Sequence, residues 1–155
     1  MSTRAIIGYR RNDDTFIGGW QWNDGMGLAP LLRRYFDTIE KVDELIHNGV
    51  WNSISSPRDK ERFEMFKEFS ERPNSCYYTV EVGKCQLLKE RPIDNATYCF
   101  EGDNGVVIEN RAIVYDSFTR LAGQDCSYVY EFDYVTGNWK TYTPQMLISI
   151  CHSKE

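Results

Sequence analysis

Ala5-Ile6-Ile7-Gly8-Tyr9-Arg10-Arg11-Asn12-Asp13-Asp14-Thr15-Phe16-Ile17-Gly18-Gly19-Trp20-Gln21-Trp22 is the stretch on which the fold turns. Two β-rich runs, Ala5 to Arg10 and Thr15 to Trp22, flank Asn12-Asp13-Asp14, whose short polar side chains bond their own backbone and suit a turn. The pattern predicts a hairpin close to the start of the chain. Strand side chains alternate, so Phe16, Trp20 and Trp22 are expected on one face. Gly8, Gly18 and Gly19 interrupt the runs, and a glycine inside a strand marks a bulge or a close approach of another group.

Beyond the hairpin the period changes. Leu28, Leu31, Leu32, Tyr35, Phe36 and Ile39 recur at the spacing of a core-facing helix, with Arg33 and Arg34 off the stripe. Asp37 with Glu40 predicts the start of a short second helix carrying Val42, Leu45 and Ile46, and Asn48-Gly49 is its stop signal. A third helix is expected from Ser56-Pro57 to about Ser70, burying Phe63, Phe66 and Phe69. From Cys76 the pattern turns to β. Strands are expected over 77–82, 85–89 and 98–100, while 106–115 is apolar and fits either strand or helix. Residues 127–134 and 139–143 form a second hairpin around Thr136-Gly137-Asn138, and Pro144 opens a last short helix with Met146, Leu147 and Ile150. The expected architecture is a single α+β domain over 1–155: hairpin and helices in 1–72, a β-rich half in 76–155. Its sheet is largely antiparallel, with about three helices packed mainly on one face.

The chain of 155 residues carries a formal net charge of −5, distributed unevenly: residues 1–34 sum to +2 and the remainder to −7. That balance argues against non-specific nucleic-acid binding. A basic start on an acidic body could meet an anion at one end and a basic partner at the other, although solvated charge explains it as simply. Five cysteines, an odd number without paired spacing, suit reduced and mostly buried thiols. No apolar leader follows Met1, and no apolar run approaches the ~18 residues of a membrane span, so a cytoplasmic protein without a membrane partner is expected.

Chemistry-bearing residues are sparse. His47 and His152 are the two histidines, too few and too far apart in sequence for a ligand cluster, so no metal and no cofactor is expected. Ser2 or Thr3 would sit near a free amine if Met1 were trimmed, but an ordinary first strand explains both better. No catalytic residue is assigned, and an enzyme is the less favoured reading. Glu61, Glu64, Glu68 and Glu71 interleave with Lys60, Arg62 and Lys67, which describes a solvated helix better than an acidic decoy. Arg4, Arg10 and Arg11 together with Trp20 and Trp22 could form a stacking-plus-cation pocket for a nucleotide or single-stranded end, although such residues more often cover a sheet and pack beneath a helix.

Four motifs carry a resemblance: Met1-Ser2-Thr3-Arg4-Ala5-Ile6-Ile7, Trp22-Asn23-Asp24-Gly25, Leu31-Leu32-Arg33-Arg34-Tyr35, and Lys41-Val42-Asp43-Glu44-Leu45-Ile46-His47-Asn48-Gly49. In this order they resemble a family of small, mostly uncharacterised proteins of bacteriophages, plasmids and prophage-bearing bacteria. Those begin Met-Ser/Ala-Thr-Arg-Ser/Ala-x-Ile and carry an Asp-Gly motif after the first hairpin. Tyr128 to Phe132 with Gly137-Asn138-Trp139 also resembles the family's closing hairpin. The family's His-Trp before Asp-Gly is Trp22-Asn23 here, or Gln21-Trp22 with one insertion, so no histidine stands at that place. The resemblance implies a mobile-element accessory protein and no reaction.

The expected function is therefore a non-enzymatic phage or mobile-element protein that binds and inhibits or redirects a host protein, such as one of a defence system, in the host cytoplasm. Its binding surface is expected at Arg4, Arg10, Trp20, Trp22 and Asp24, since Trp and Arg dominate interface energetics. The alternative is a sponge or hydrolase for a signalling nucleotide, using Arg4, Arg10 and the same aromatics. A homodimer through an exposed hairpin edge is a further expectation.

Overall fold

The computed structural model describes residues 3–12, 14–55, 79–81 and 105–153. The elements, in chain order, are β1 (Ala5–Arg10), β2 (Phe16–Gln21), α1 (Ala29–Tyr35), α2 (Ile39–Ile46), β3 (Val50–Trp51), β4 (Ser53–Ser55) and β5 (Thr79–Glu81). There follow β6 (Val106–Glu109), β7 (Ala112–Tyr115), a 3-10 segment (Phe118–Gly123), β8 (Tyr128–Asp133), β9 (Asn138–Tyr142) and α3 (Pro144–Ser153). The expected helix from Ser56 and the expected strands at 85–89 and 98–100 lie outside the described residues.

The two strands of the opening stretch sit at the centre of a mixed, mostly antiparallel sheet, ordered β6-β7-β2-β1-β8-β9. β1 and β2 pair antiparallel with Gly8 opposite Gly18. β2 divides its outer side: Phe16 to Gly18 pair with β7, while Trp20 and Gln21 pair with β3 in parallel. On the other side β1 runs parallel to β8, Ala5 against Tyr128 through Gly8 against Glu131. One sheet thus unites the first and last thirds of the chain, and β4 with β5 forms a separate parallel pair. The α+β class and the largely antiparallel main sheet are as the sequence led us to expect.

Among the described residues, however, the helices are shared between the two faces. Ala5, Ile7 and Ile17 face α1 and α2, with Leu28, Leu32, Phe36, Val42, Leu45 and Ile46 completing that core. Ile6, Phe16 and Trp20 face the other way, onto Phe118 and Leu121 of the 3-10 segment and Leu147 of α3. The physical reason lies in β1 and β2 themselves. Both present apolar side chains on alternate faces, and a central strand apolar on both faces must be covered on both.

Local signals explain most boundaries. α1 is seven residues long; Leu28, Leu32 and Phe36 are buried from the expected stripe, with Leu31 and Tyr35 half-buried. Its end is tied to the sheet edge by Trp139, whose Nε1 donates to the Phe36 carbonyl at 2.8 Å. The cap of α2 is Thr38, which accepts from the Lys41 amide, whereas Asp37, expected to open that helix, pairs with Lys41 across one turn. Gly49 ends the segment at φ 80°, a backbone that favours glycine. Gly19 is required by close approach: a Cβ there would lie 2.5 Å from the Trp51 ring. Residues 106–115 resolve into the β6–β7 hairpin, turned by Asn110 and Arg111 with φ of 47° and 72°.

Candidate functional site

At the end of the sheet where β1 begins, the loop 22–25 is fastened from several sides. Its amides reach back to the sheet and the chain start: Trp22 N–H donates to Trp51 O at 2.9 Å, Asn23 N–H to Asn52 O at 2.8 Å, and Gly25 N–H to Thr3 O at 2.9 Å. Its carbonyls are held by buried side chains. Gln21, fully buried, donates through Nε2 to Asn23 O and Asp24 O, and the Trp51 indole N–H donates to Gln21 Oε1 at 3.0 Å, fixing the amide's orientation. The Tyr130 hydroxyl donates to Gly25 O and accepts from the Leu28 amide. Asp24 sits at the apex with φ 59°, a conformation aspartate tolerates better than most residues. The loop reads as a rigid scaffold with exposed Asp24 and Met26, the latter 69% exposed, projecting from it.

Against this loop lies a stack. The Arg4 guanidinium lies 4.3 Å above the Trp22 ring and its Nη1 donates to Asp125 Oδ2 at 2.6 Å. Behind Trp22, at 6.4 Å between ring centroids, is Trp20. The expected placement of Trp20 on a binding surface is corrected here: it is 4% exposed, and its Nε1 donates to the buried Tyr115 hydroxyl at 2.8 Å. Alternation identified its face correctly; the 3-10 segment and α3 cover that face. Next in sequence to the Arg4 partner, Cys126 is buried, and desolvation, then the Asp125 charge, push its thiol up to about 12.

Arg10 belongs to the opposite end of β1. Six residue steps along the chain separate it from Arg4, about 20 Å at the usual rise per residue. Its Nε and Nη2 hold the two carboxylate oxygens of Glu131, a side chain only 5% exposed, and Tyr142 Oη donates to the same carboxylate at 3.1 Å. The guanidinium also lies 4.1 Å from the Phe118 ring centroid. Burial, then the Glu131 charge, push the Tyr142 phenol up to about 12. Nearby, Arg11 pairs with both oxygens of Glu109 and holds that carboxyl below its ordinary range, and Tyr9 donates to Asp43 at 2.8 Å. A cleft of about 240 Å³ opens between the β1–β2 turn and the β8–β9 hairpin, lined by Arg10, Arg11, Asn12, Tyr134 and Lys140 among others.

Four of the five expected site residues, Arg4, Trp20, Trp22 and Asp24, therefore gather at one end, with Arg4, Trp22 and Asp24 at the surface; Arg10 stands apart and is engaged by a buried carboxylate. Asp125, Met26, Gln21, Tyr130 and Glu131 were not expected at either end. Glu131 carried a signal, being an acidic residue set within the apolar run Tyr128 to Phe132. Asp125 and Met26 carried none, since pairing with Arg4 and projection from the loop depend on contacts across the fold. In comparisons with known proteins, no family model, no curated protein and no solved structure matches the chain.

Proposed function

We propose that this is a non-enzymatic accessory protein of a phage or related mobile element that docks on a host protein and blocks or redirects it. The observation that carries this reading is the Arg4–Trp22 stack beside the fastened loop 22–25. Tryptophan and arginine are the residues that most often dominate protein interfaces. A surface already held in its bound shape loses less conformational freedom on association. Here Arg4 is oriented from below by the indole and from the side by Asp125, so its guanidinium is aimed before any partner arrives. Exposed Met26 and Asp24 extend the surface with an adaptable apolar group and a charge. The mobile-element setting and the host target come from the sequence resemblance.

The nucleotide reading gains less support. It calls on Arg4 and Arg10 together, and those two lie at opposite ends of β1, each bonded to a carboxylate.

The test is affinity capture from a bacterial host lysate with the tagged wild type, Arg4→Ala and Trp22→Ala, alongside Lys41→Ala on the exposed side of α2. A host protein retained by wild type and Lys41→Ala but lost from both others supports the reading. Equal capture by the wild type and all three variants, each shown folded by circular dichroism, overturns it.

A further inference from the structure

The two margins of the sheet differ in what they would present to a second copy of themselves. Among the described residues β6 has one strand neighbour, β7, and β9 has one, β8. On β6, Val107 is 63% and Ile108 36% exposed, and these neighbours lie on opposite faces of the strand. Natural edge strands are commonly guarded by charge, above all lysine. β9 fits that description, with exposed Lys140 at its midpoint. A twofold axis through the middle of β9 would set Lys140 against Lys140 of the other copy, and like charges directly opposite destabilise a strand pair.

The same operation on β6 gives the opposite result. A sheet continued across a perpendicular twofold keeps each face with its own kind, which limits the antiparallel registers to those whose paired residue numbers have an even sum. Centred on Val107, the register sets Val107 against Val107, and Val106 against Ile108 in both directions. Glu109 then falls opposite Gly105, so the two carboxylates do not face each other. Centring one residue later would put Glu109 opposite Val107, and one residue earlier would leave Ile108 beyond the described strand. Only the Val107 register matches apolar with apolar along the strand and keeps carboxylates apart.

We propose that β6 pairs with β6 of a second copy, antiparallel about a twofold at Val107, to make a dimer with one continuous sheet. This inference is independent of the docking surface at Arg4 and Trp22, which lies at the end of β2 away from its pairing with β7. The strand is short, so the dimer is concentration-dependent.

Sedimentation velocity from about 5 to 200 µM tests it, with Val107→Lys, Val107→Glu and their equimolar mixture measured beside the wild type. Position 107 is exposed, so neither substitution disturbs the core, and circular dichroism checks this. The wild type is expected to move from monomer to dimer across the range, each variant alone to stay monomeric, and the mixture to recover the dimer, since lysine then faces glutamate across the axis. A wild type that remains monomeric at 200 µM, a dimer indifferent to Val107→Lys, or a mixture no more associated than its components would each overturn the proposal.

Discussion

Replacing Arg10 by methionine separates a structural arginine from a ligand-binding one. Methionine keeps an unbranched stem over Phe118 and removes the guanidinium that bonds both oxygens of Glu131. The Glu131 side chain is 5% exposed, so the carboxylate would be left with the Tyr142 hydroxyl alone. Removing one partner of a buried ion pair costs about 3–5 kcal/mol, because the remaining charge is uncompensated. The Arg10 side chain is itself 36% exposed, which lets water reach the vacated position and places the expected loss at the lower end, about 3 kcal/mol. For a chain of this length that is a fall of about 6–12 °C in Tm. Urea unfolding followed by tryptophan fluorescence measures it, with an unchanged slope showing that the same surface is exposed on unfolding. The double variant Arg10→Met with Glu131→Gln removes the orphaned charge while keeping an acceptor for Tyr142, and should recover most of the loss. A loss below about 1 kcal/mol in the single variant, or a double variant no more stable than the single, would refute the claim that this pair is an internal fastening.

Three further outcomes follow from the geometry. Tyr9 and Tyr142 are both raised to about 12, chiefly by burial, so the stability each contributes through this shift is complete below the ordinary phenol value near 10 and lost as pH climbs toward 12. The double Tyr→Phe variant should lose less stability than the wild type between pH 10 and 12, and ultraviolet titration should show two phenols fewer ionising late. Cys126, pushed up to about 12, should be alkylated at pH 8 at least a hundred-fold more slowly in the native protein than in urea, read by mass spectrometry of its peptide; equal rates would contradict its burial. Gly19→Ala should destabilise by about 1–3 kcal/mol, since its methyl would enter the space of the Trp51 ring and overpack a closed core.

Alternation and period made much of the fold legible. The hairpin of β1 and β2, the apolar face of α2 and the closing hairpin of β8 and β9 are all written in local spacing. Alternation names a face but not its depth, which is why Trp20 reads as surface until the 3-10 segment and α3 are laid over it. Residues 106–115 resist a period test because apolar residues follow one another on both faces, and the Asn110-Arg111 turn lacks the glycine that usually announces a hairpin. β3 is two residues long and leaves no pattern to find. The parallel pairing of β1 with β8 joins residues more than 120 positions apart, and no local signal records such a partnership. The site was legible to the same extent: Arg4, Trp22 and Asp24 stand together because they are near in sequence, while the carboxylates that occupy Arg4 and Arg10 come from the far end of the chain.

That β1–β8 pairing also sets the order of events during synthesis. β1 occupies the middle of the sheet, and its neighbour β8 is made more than 120 residues later. At ordinary translation rates the gap between them is on the order of ten seconds. Until β8 arrives, β1 offers an unpaired margin carrying Ile6 and Ile7 in a nascent chain whose loop 22–25 still lacks Tyr130. Completion of the sheet is thus deferred until β8 and β9 are made, and contacts so distant in sequence close slowly. A ribosome that stalls before residue 128 leaves β1 paired with β2 and still without β8, so the sheet can close over its core only once that distant strand is delivered.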